Sequence, residues 1–243
     1  MSIVGNVLER ISPRRRGGIL NAVLEYLPEL AYRRLKESGF QPAAIIDIGA
    51  YRGDWTKLIR RFFPATPVLM IEAQEKQRDA LLAISSPLTT TATVICLLAS
   101  ESGKEVRFTL METGSSIFSE KSDAPRHTRL MRTKTLDEVT SSIFRQSPLF
   151  LKLDVQGAEI EVLRGASETL KLAEVVQLET ALTTYNEGAP QSEEVIAFMS
   201  EHGFSIWDIV SFVRPQPDYL SQIDLLFVRN DSLLRRGSFR FSQ

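Results

Sequence analysis

Cysteine is almost missing from this chain: Cys96 is the only one in 243 residues. No internal disulfide can form, and a reducing compartment suits such a composition. The thiol lies in the apolar run Thr93-Val94-Ile95-Cys96-Leu97-Leu98, where it reads as a small buried hydrophobe. Charge imbalance is missing too. The 29 basic and 30 acidic residues leave a net charge of -1, so no global field draws the molecule onto nucleic acid, and a nucleic-acid partner is not expected. No apolar stretch reaches the length of a signal peptide or a membrane span, and the chain reads as cytoplasmic. Internal repeats and low-complexity segments are absent.

What is present is the composition of an ordinary globular protein, 43% hydrophobic and 24% charged, enough for one α/β domain with a sizeable core. Residues 1–40 read as an N-terminal helical cap, 41–230 as the main domain with an insertion at about 99–133, and 231–243 as a C-terminal tail. In the cap, Leu20, Val23, Leu24, Leu27 and Ala31 share a helical face despite Pro28. Residues 1–36 carry seven Lys or Arg against three Glu. The helix is expected to cover the core, and contact with a membrane surface or a partner is its alternative use.

Runs rich in Val, Ile, Leu and Phe recur at Ala43 to Ile48, Pro67 to Ile71, Thr93 to Leu98, Leu149 to Leu153 and Glu174 to Leu178. Alternating with helical patterns, they predict a parallel sheet covered on both faces. Trp55, Leu58, Ile59 and Phe62 have helical spacing before Pro64. Thr135 and Glu138 have capping-box spacing ahead of Leu136, Val139 and Ile143. Ile160, Leu163 and Leu170 mark a further helix, and Ser192 is a candidate cap for another. The final runs, Phe204 to Val210 and Ile223 to Arg229, are joined by a Pro-containing segment with no room for a crossover helix, so they should pair antiparallel. Residues 99–133 break this rhythm with a hairpin-like Gly103 to Leu110 and a polar stretch around Gly114. An insertion of that kind is expected to face substrate.

After the first run, Gly49 and Gly53 flank a turn leading into a helix, where backbone can approach a ligand closely and amides can point at it. Asp47 ends the run, Ala50 and Tyr51 lie in the turn, and Glu72 follows the second run, placed to accept hydrogen bonds from two ribose hydroxyls. Tyr51 stands where a dinucleotide-binding loop has its second glycine and would crowd a pyrophosphate, which disfavours a nicotinamide cofactor. A donor without a pyrophosphate, such as S-adenosylmethionine, fits the turn, with its amino-acid end met by loop amides and an acid such as Asp47.

The segment Ile46-Asp47-Ile48-Gly49-Ala50-Tyr51-Arg52-Gly53-Asp54 and the string Leu151-Lys152-Leu153-Asp154-Val155-Gln156-Gly157-Ala158-Glu159, continuing to Leu163-Arg164-Gly165-Ala166, resemble the FkbM family of S-adenosylmethionine-dependent methyltransferases. Thr135-Leu136-Asp137, Gln177-Leu178-Glu179, Gly203-Phe204 and Asp224 to Val228 are similar as well, so the resemblance covers residues 43 to 229. Members commonly carry Glu at the position of Gln156. The resemblance implies a class I methyltransferase (Rossmann-like) fold: a seven-stranded sheet with an antiparallel final strand and helices on both faces. It also implies methyl transfer to oxygen, the acceptor being a small molecule or glycoconjugate, with sugar, glycolipid and secondary-metabolite hydroxyls as the usual targets. A methyltransferase-fold protein that binds a partner without catalysis is the non-enzymatic alternative. The oligomeric state is left open.

Within this reading Asp154, at the carboxyl end of the fourth strand, is the candidate base or oxygen-orienting group. Lys152, two residues earlier, is a charge in a buried strand that could pair with an acid beneath the site. A divalent cation on Asp154 and Glu179 is the less favoured alternative, and no metal ligands are assigned. Glu159, in the first turn of a helix, could brace the Gly49 loop or Lys152. Ser115 and Ser116 are candidates to hydrogen-bond acceptor or cofactor, His127 could take a hydroxyl proton, and Tyr185 could stack on a sugar ring.

Overall fold

The structure, a computed structural model, describes residues 26–88, 90–111, 114–120, 127–140, 142–184, 186–216 and 219–235. Leu20, Val23 and Leu24 of the expected N-terminal helix lie outside these residues, as do Tyr185 and positions 236–243 of the tail. Helix α1 runs through residues 26–37 with Pro28 inside it. It is followed by β1 (Ala44–Ile48), α2 (Asp54–Ile59), β2 (Val68–Glu72), α3 (Arg78–Ser85) and β3 (Thr91–Ile95). Next come β4 (Leu97–Leu98), β5 (Glu105–Leu110), β6 (Ser119–Glu120), β7 (His127–Lys134), α4 (Leu136–Val139) and β8 (Leu149–Leu153). The remainder is α5 (Glu159–Arg164), α6 (Ser167–Leu172), β9 (Ala173–Ala181), β10 (Asn186–Glu187), α7 (Ser192–Glu201), β11 (Phe204–Val213) and β12 (Gln222–Arg229).

The main sheet has seven strands in the order β11-β12-β9-β8-β1-β2-β3. From β9 to β3 the neighbours are parallel, and β12 lies antiparallel between β9 and β11. The order reverses beside β1, so the crevice above the carboxyl ends of β1 and β8 is the topological switch point, where open α/β sheets bind ligands. Every residue of β1, β2 and β8 is buried, as helices on both faces require. Alternate side chains feed two cores. Ile46, Ile48, Leu151 and Leu153 enter one with Leu163 and Phe204, and Ile45 and Phe150 enter the other with Ala31, Tyr32 and Leu35 of α1. Each such large side chain contributes roughly 1.5–3 kcal/mol by leaving water. Edge-on contacts of Trp55 and Phe40 with the Phe150 ring, at 5.6 and 6.1 Å between centroids, tie α2 and the segment after α1 to β8.

Four local expectations change. The run Thr93 to Leu98 is two strands, because β3 ends at Ile95 and Leu97–Leu98 turn away to pair with Thr133–Lys134 of β7. Ile143 does not share a helical face with Leu136: α4 ends at Val139, where Thr140 turns extended, and Ile143 is 58% exposed. The helix marked by Ile160, Leu163 and Leu170 is two helices, broken where Gly165 passes so close to the Ala99 carbonyl that a Cβ would fall 2.3 Å away. The cap before α7 is Gln191, not Ser192, in a reciprocal capping box with Glu194. Thr135 does cap α4, accepting from the Glu138 N–H at 3.2 Å.

Within the insertion, Gly103 to Leu110 is not a hairpin by itself. Its strand β5 pairs antiparallel with β7, making a three-stranded sheet with β4. β6 reaches across to β10. These pieces stand over the carboxyl end of the main sheet, bringing Phe108, Ser115 and Ile117 onto the wall of the cavity there. Among the described residues no helix is long and apolar enough to cross a membrane.

Candidate active site

The turn after β1 is shaped by sterics. Gly49 has φ +74°, and a Cβ on it would sit 1.9 Å from the Asp154 backbone oxygen, so only glycine lets the ends of β1 and β8 approach this closely. The amides of Gly49, Ala50 and Tyr51 look toward β2 rather than into the cavity. The Gly49 and Ala50 N–H groups both donate to the Ile71 carbonyl, at 2.9 and 3.0 Å. The Tyr51 N–H donates to Glu72 Oε2 and the Gln74 N–H to Glu72 Oε1, each at 2.8 Å. Glu72 thus locks the turn to the end of β2 while facing the cavity, 5% exposed. Burial pushes its carboxyl above the ordinary value, and the amide bonds offset part of that.

Below the turn a polar row crosses the sheet. Asp47, Lys152 and Gln177 are register partners on β1, β8 and β9. Lys152 Nζ lies 3.3 Å from Asp47 Oδ1 and 3.5 Å from Asp154 Oδ2; residues 152 and 154 share a face because side chains alternate along a strand. Thr56 Oγ1 donates to Asp47 Oδ2 at 2.7 Å, Trp55 Nε1 to Tyr32 Oη at 2.7 Å, and Tyr32 Oη to Gln177 Oε1 at 2.8 Å. Burial opposes the Lys152 ammonium, but Asp47 and Asp154 outweigh it and hold its pKa above the usual lysine value. Lys152 is the only buried Lys or Arg among the described residues.

Above this row lies a cavity of about 420 Å³, within the roughly 300–1,000 Å³ usual for small-molecule sites. Its apolar side is built from Ile71, Leu97, Leu98 and Phe108, with Cys96 at the break between β3 and β4. Cys96 is therefore partly buried, packed against the core and also on the cavity wall, and burial pushes its thiol up to about 11.

The opposite side is acidic. Asp154, with its side chain 39% exposed, stands beside Glu179 and Gln156 on the wall. Gln156 Nε2 donates to Asp154 Oδ1 at 3.0 Å and to Glu179 Oε1 at 2.8 Å. Enclosure raises the Asp154 carboxyl, but the Lys152 ammonium and hydrogen bonds from Glu179 and Gln156 outweigh it and hold it below the ordinary range. Glu179 moves the other way, pushed well up by burial and then by the charges of Asp154, Glu159 and Asp224. Asp224, the register partner of Glu179 on β12, rises to about 6, chiefly by burial. Glu159 braces neither the Gly49 loop nor Lys152: its Oε1 accepts the N–H groups of Val155 and Gly157, at 2.9 and 3.3 Å, and so shapes the turn carrying Gln156.

Of the residues expected at the site, Gly49, Ala50, Tyr51, Glu72, Ser115, Lys152, Asp154 and Glu179 line this one cavity. Four do not reach it. Asp47 is fully buried behind Lys152. Gly53 caps α2 on the far side of the turn, against Ile84 and Leu81. Ser116 is 2% exposed and gives its hydroxyl to the Gln156 carbonyl at 2.9 Å. His127 is exposed at the start of β7, opposite Leu110. Sequence reasoning assigned no role to Gln156 or to Asp224, whose one available signal was an acid within the apolar strand Ile223 to Val228. Among the described residues no group of three or more His, Cys, Asp or Glu is arranged to hold a metal ion.

The solved structures resembling this fold include the magnesium protoporphyrin IX methyltransferase ChlM from Synechocystis PCC 6803 with bound SAM, at 13% identity over 88% of this chain and 83% of that one, TM-score 0.49. The methyltransferase FkbM from Methylobacillus flagellatus KT matches at 14% identity over 76% of this chain and 43% of its own, TM-score 0.48, so the chain spans less than half of that protein. A Burkholderia thailandensis 1,6-didemethyltoxoflavin N1-methyltransferase matches at 11% identity over 91% and 92%, TM-score 0.46. No curated protein is significantly similar in sequence. The family model of the methyltransferase FkbM domain matches residues 47–206, which takes in the Gly49 turn, Glu72, Asp154 and Glu179. The sheet, with its reversal beside β1 and its antiparallel β12, is that of class I methyltransferases, and the chain belongs to the FkbM methyltransferase family.

Proposed function

We propose that this methyltransferase uses S-adenosylmethionine to methylate a hydroxyl group, on a sugar of a glycoconjugate or glycolipid. The observation that carries the reading is the Asp154 carboxylate, held ionised by Lys152 on the wall of a cavity that Glu72 enters from another strand. The residues present suit the cofactor. The Glu72 carboxylate, which accepts the Tyr51 N–H on one oxygen and the Gln74 N–H on the other, has further lone pairs for ribose hydroxyls. Ile71, Leu97 and Leu98 offer an apolar surface for the adenine, and the acidic side suits a cation. When bound, the cofactor supplies a methyl group on a positively charged sulfur.

The protein's own contribution is alignment, exclusion of water and proton acceptance. Asp154 orients the acceptor hydroxyl and takes its proton as the oxygen bonds to carbon, an effect worth roughly 10²–10⁴ in rate. Lys152 keeps that carboxylate ionised, and Asp47 and Thr56 keep Lys152 in place. An acidic and amide-rich wall of Asp154, Gln156, Glu179 and Gln222 matches the donors of a polyhydroxyl acceptor. Two measurements test the reading. Calorimetry should detect binding of the cofactor and of its demethylated product, weakened at least about tenfold in Glu72→Ala by loss of the charged hydrogen-bond acceptor. Transfer of isotope-labelled methyl to a panel of glycans, phenols and amines should mark sugar hydroxyls. Labelling of amines or carbon centres alone would overturn the hydroxyl assignment, and absence of cofactor binding would overturn the reading altogether.

A further inference from the structure

Gln156 stands in the left-handed region, at φ 54°, where a non-glycine residue persists only if its surroundings hold it. Two side chains from beyond β8 do so: Ser116 Oγ and Asn186 Nδ2 each donate to its carbonyl at 2.9 Å. The next residue, Gly157, packs so closely on Ala189 that a Cβ would fall 2.7 Å from the alanine Cβ. Fixed in this way, the Gln156 side chain turns back and spends both N–H bonds of its amide on Asp154 and Glu179. Asp154 and Glu179 are thereby gathered on one amide nitrogen, and two enclosed carboxyls held this close repel each other unless one of them keeps a proton. An amide is a group of this size that can bridge the two acids without adding another negative charge.

Building on the hydroxyl-methylation reading, we propose that Gln156 is a positioning residue that clamps Asp154 and Glu179 into one pair sharing a single proton, with Asp154 presented to the acceptor as base. The charged groups facing the pair divide the roles. Lys152 of β8, backed by Asp47 of β1, lies on the Asp154 side. Asp224 of β12 and Glu159 of α5 act on Glu179. The proton therefore resides on Glu179 and Asp154 stays open to receive another. As the acceptor oxygen bonds to the methyl carbon, the carbon–sulfur bond breaks with its electron pair left on sulfur, and the hydroxyl proton passes to Asp154. The pair then carries two protons and releases one before the next turnover.

Infrared difference spectroscopy of the purified protein tests the pair without turnover. At about pH 8, where Glu159 (about 7) and Asp224 (about 6) are mostly ionised, the protein should show a protonated-carboxyl band that Glu179→Gln removes. Gln156→Glu puts a further carboxyl against the pair and should move the acid limb of the kcat/KM profile upward by about one pH unit through like-charge repulsion. Gln156→Met keeps the side-chain length and removes both donors; kcat should fall about 10–100-fold while cofactor affinity by calorimetry stays unchanged. Absence of a band removable by Glu179→Gln, or a Gln156→Met protein with unaltered kcat and pH profile, overturns the inference. A protein that shows the band but methylates no hydroxyl supports the pair and overturns the acceptor assignment instead.

Discussion

Replacing Glu159 with glutamine isolates the electrostatics of this buried carboxyl, which lies behind the acidic wall, from its hydrogen bonding. The carboxyl is 2% exposed and accepts two backbone N–H groups through Oε1. An amide oxygen of equal size can accept the same two bonds. Burial, reinforced by the charge of Asp154, raises the pKa from 4.5 to about 7 despite those amides. Between these values the folded protein holds a proton that the unfolded chain has already released. The stability contributed by the protonated carboxyl is thus complete below about pH 4.5 and is lost as pH rises through about 7. By about pH 8 the ionised side chain costs roughly 3 kcal/mol relative to the unfolded state. Glutamine never ionises. Urea denaturation followed by circular dichroism across this range should therefore find the two proteins nearly equal at about pH 4.5 and Glu159→Gln more stable by roughly 3 kcal/mol at about pH 8. A difference that does not change with pH, or a variant less stable at the alkaline end, would refute the electrostatic account.

Gly49→Ala should cost at least about 3 kcal/mol in the same denaturation assay, since a Cβ 1.9 Å from a backbone oxygen cannot be relieved by a rotamer change. Gly53→Ala should cost less, because its nearest neighbour is the flexible end of Ile84. Lys152→Met leaves the buried Asp47 carboxyl without its partner, a loss of about 3–5 kcal/mol that Asp47→Asn in the same chain should partly restore; a fully stable Lys152→Met protein contradicts this. Asp137→Ala removes the acceptor of the Glu168 and Thr169 N–H groups and of two hydroxyls that hold the start of α6, at about 2–3 kcal/mol. Burial raises the Asp137 carboxyl, but those bonds outweigh it and leave it below 3.8. Its contribution is thus present above about pH 4 and lost as pH falls through the lowered value, so the gap between the two proteins should close in acid.

The sheet was readable because its strands are apolar on both faces and separated by short helices, a pattern that tolerates few alternatives. The errors fall where a partner outside the local window decides. Nothing within Thr93 to Leu98 reveals that Thr133–Lys134 will draw Leu97–Leu98 out of the sheet. The break between α5 and α6 depends on the Ala99 carbonyl, more than sixty positions upstream. Ile143 has helical spacing, yet Thr140 leaves the helix before that spacing matters. Ser192 has the stronger intrinsic capping preference, but it is the Gln191 backbone that is extended and joined to Glu194.

The site divides along the same line. Gly49, Glu72 and Asp154 end three neighbouring strands, so knowing the strand order was enough to gather them. Asp47 precedes the turn and so reads as a cofactor ligand in the sequence, whereas strand alternation and register turn it beneath Lys152. The acidity of the far wall could not be read at all from a net charge of -1. Asp154, Glu159 and Asp224 arrive from the end of β8, from α5 and from β12, each an unremarkable acid in its own segment, and converge around Glu179 of β9. A chain can therefore be neutral on average and still build a cavity with an excess of carboxyls, in which protonation is set by neighbours brought in from distant sequence. In that setting the neutral amide of Gln156 is informative: it bridges Asp154 and Glu179 without adding a charge to a cluster already rich in carboxyls.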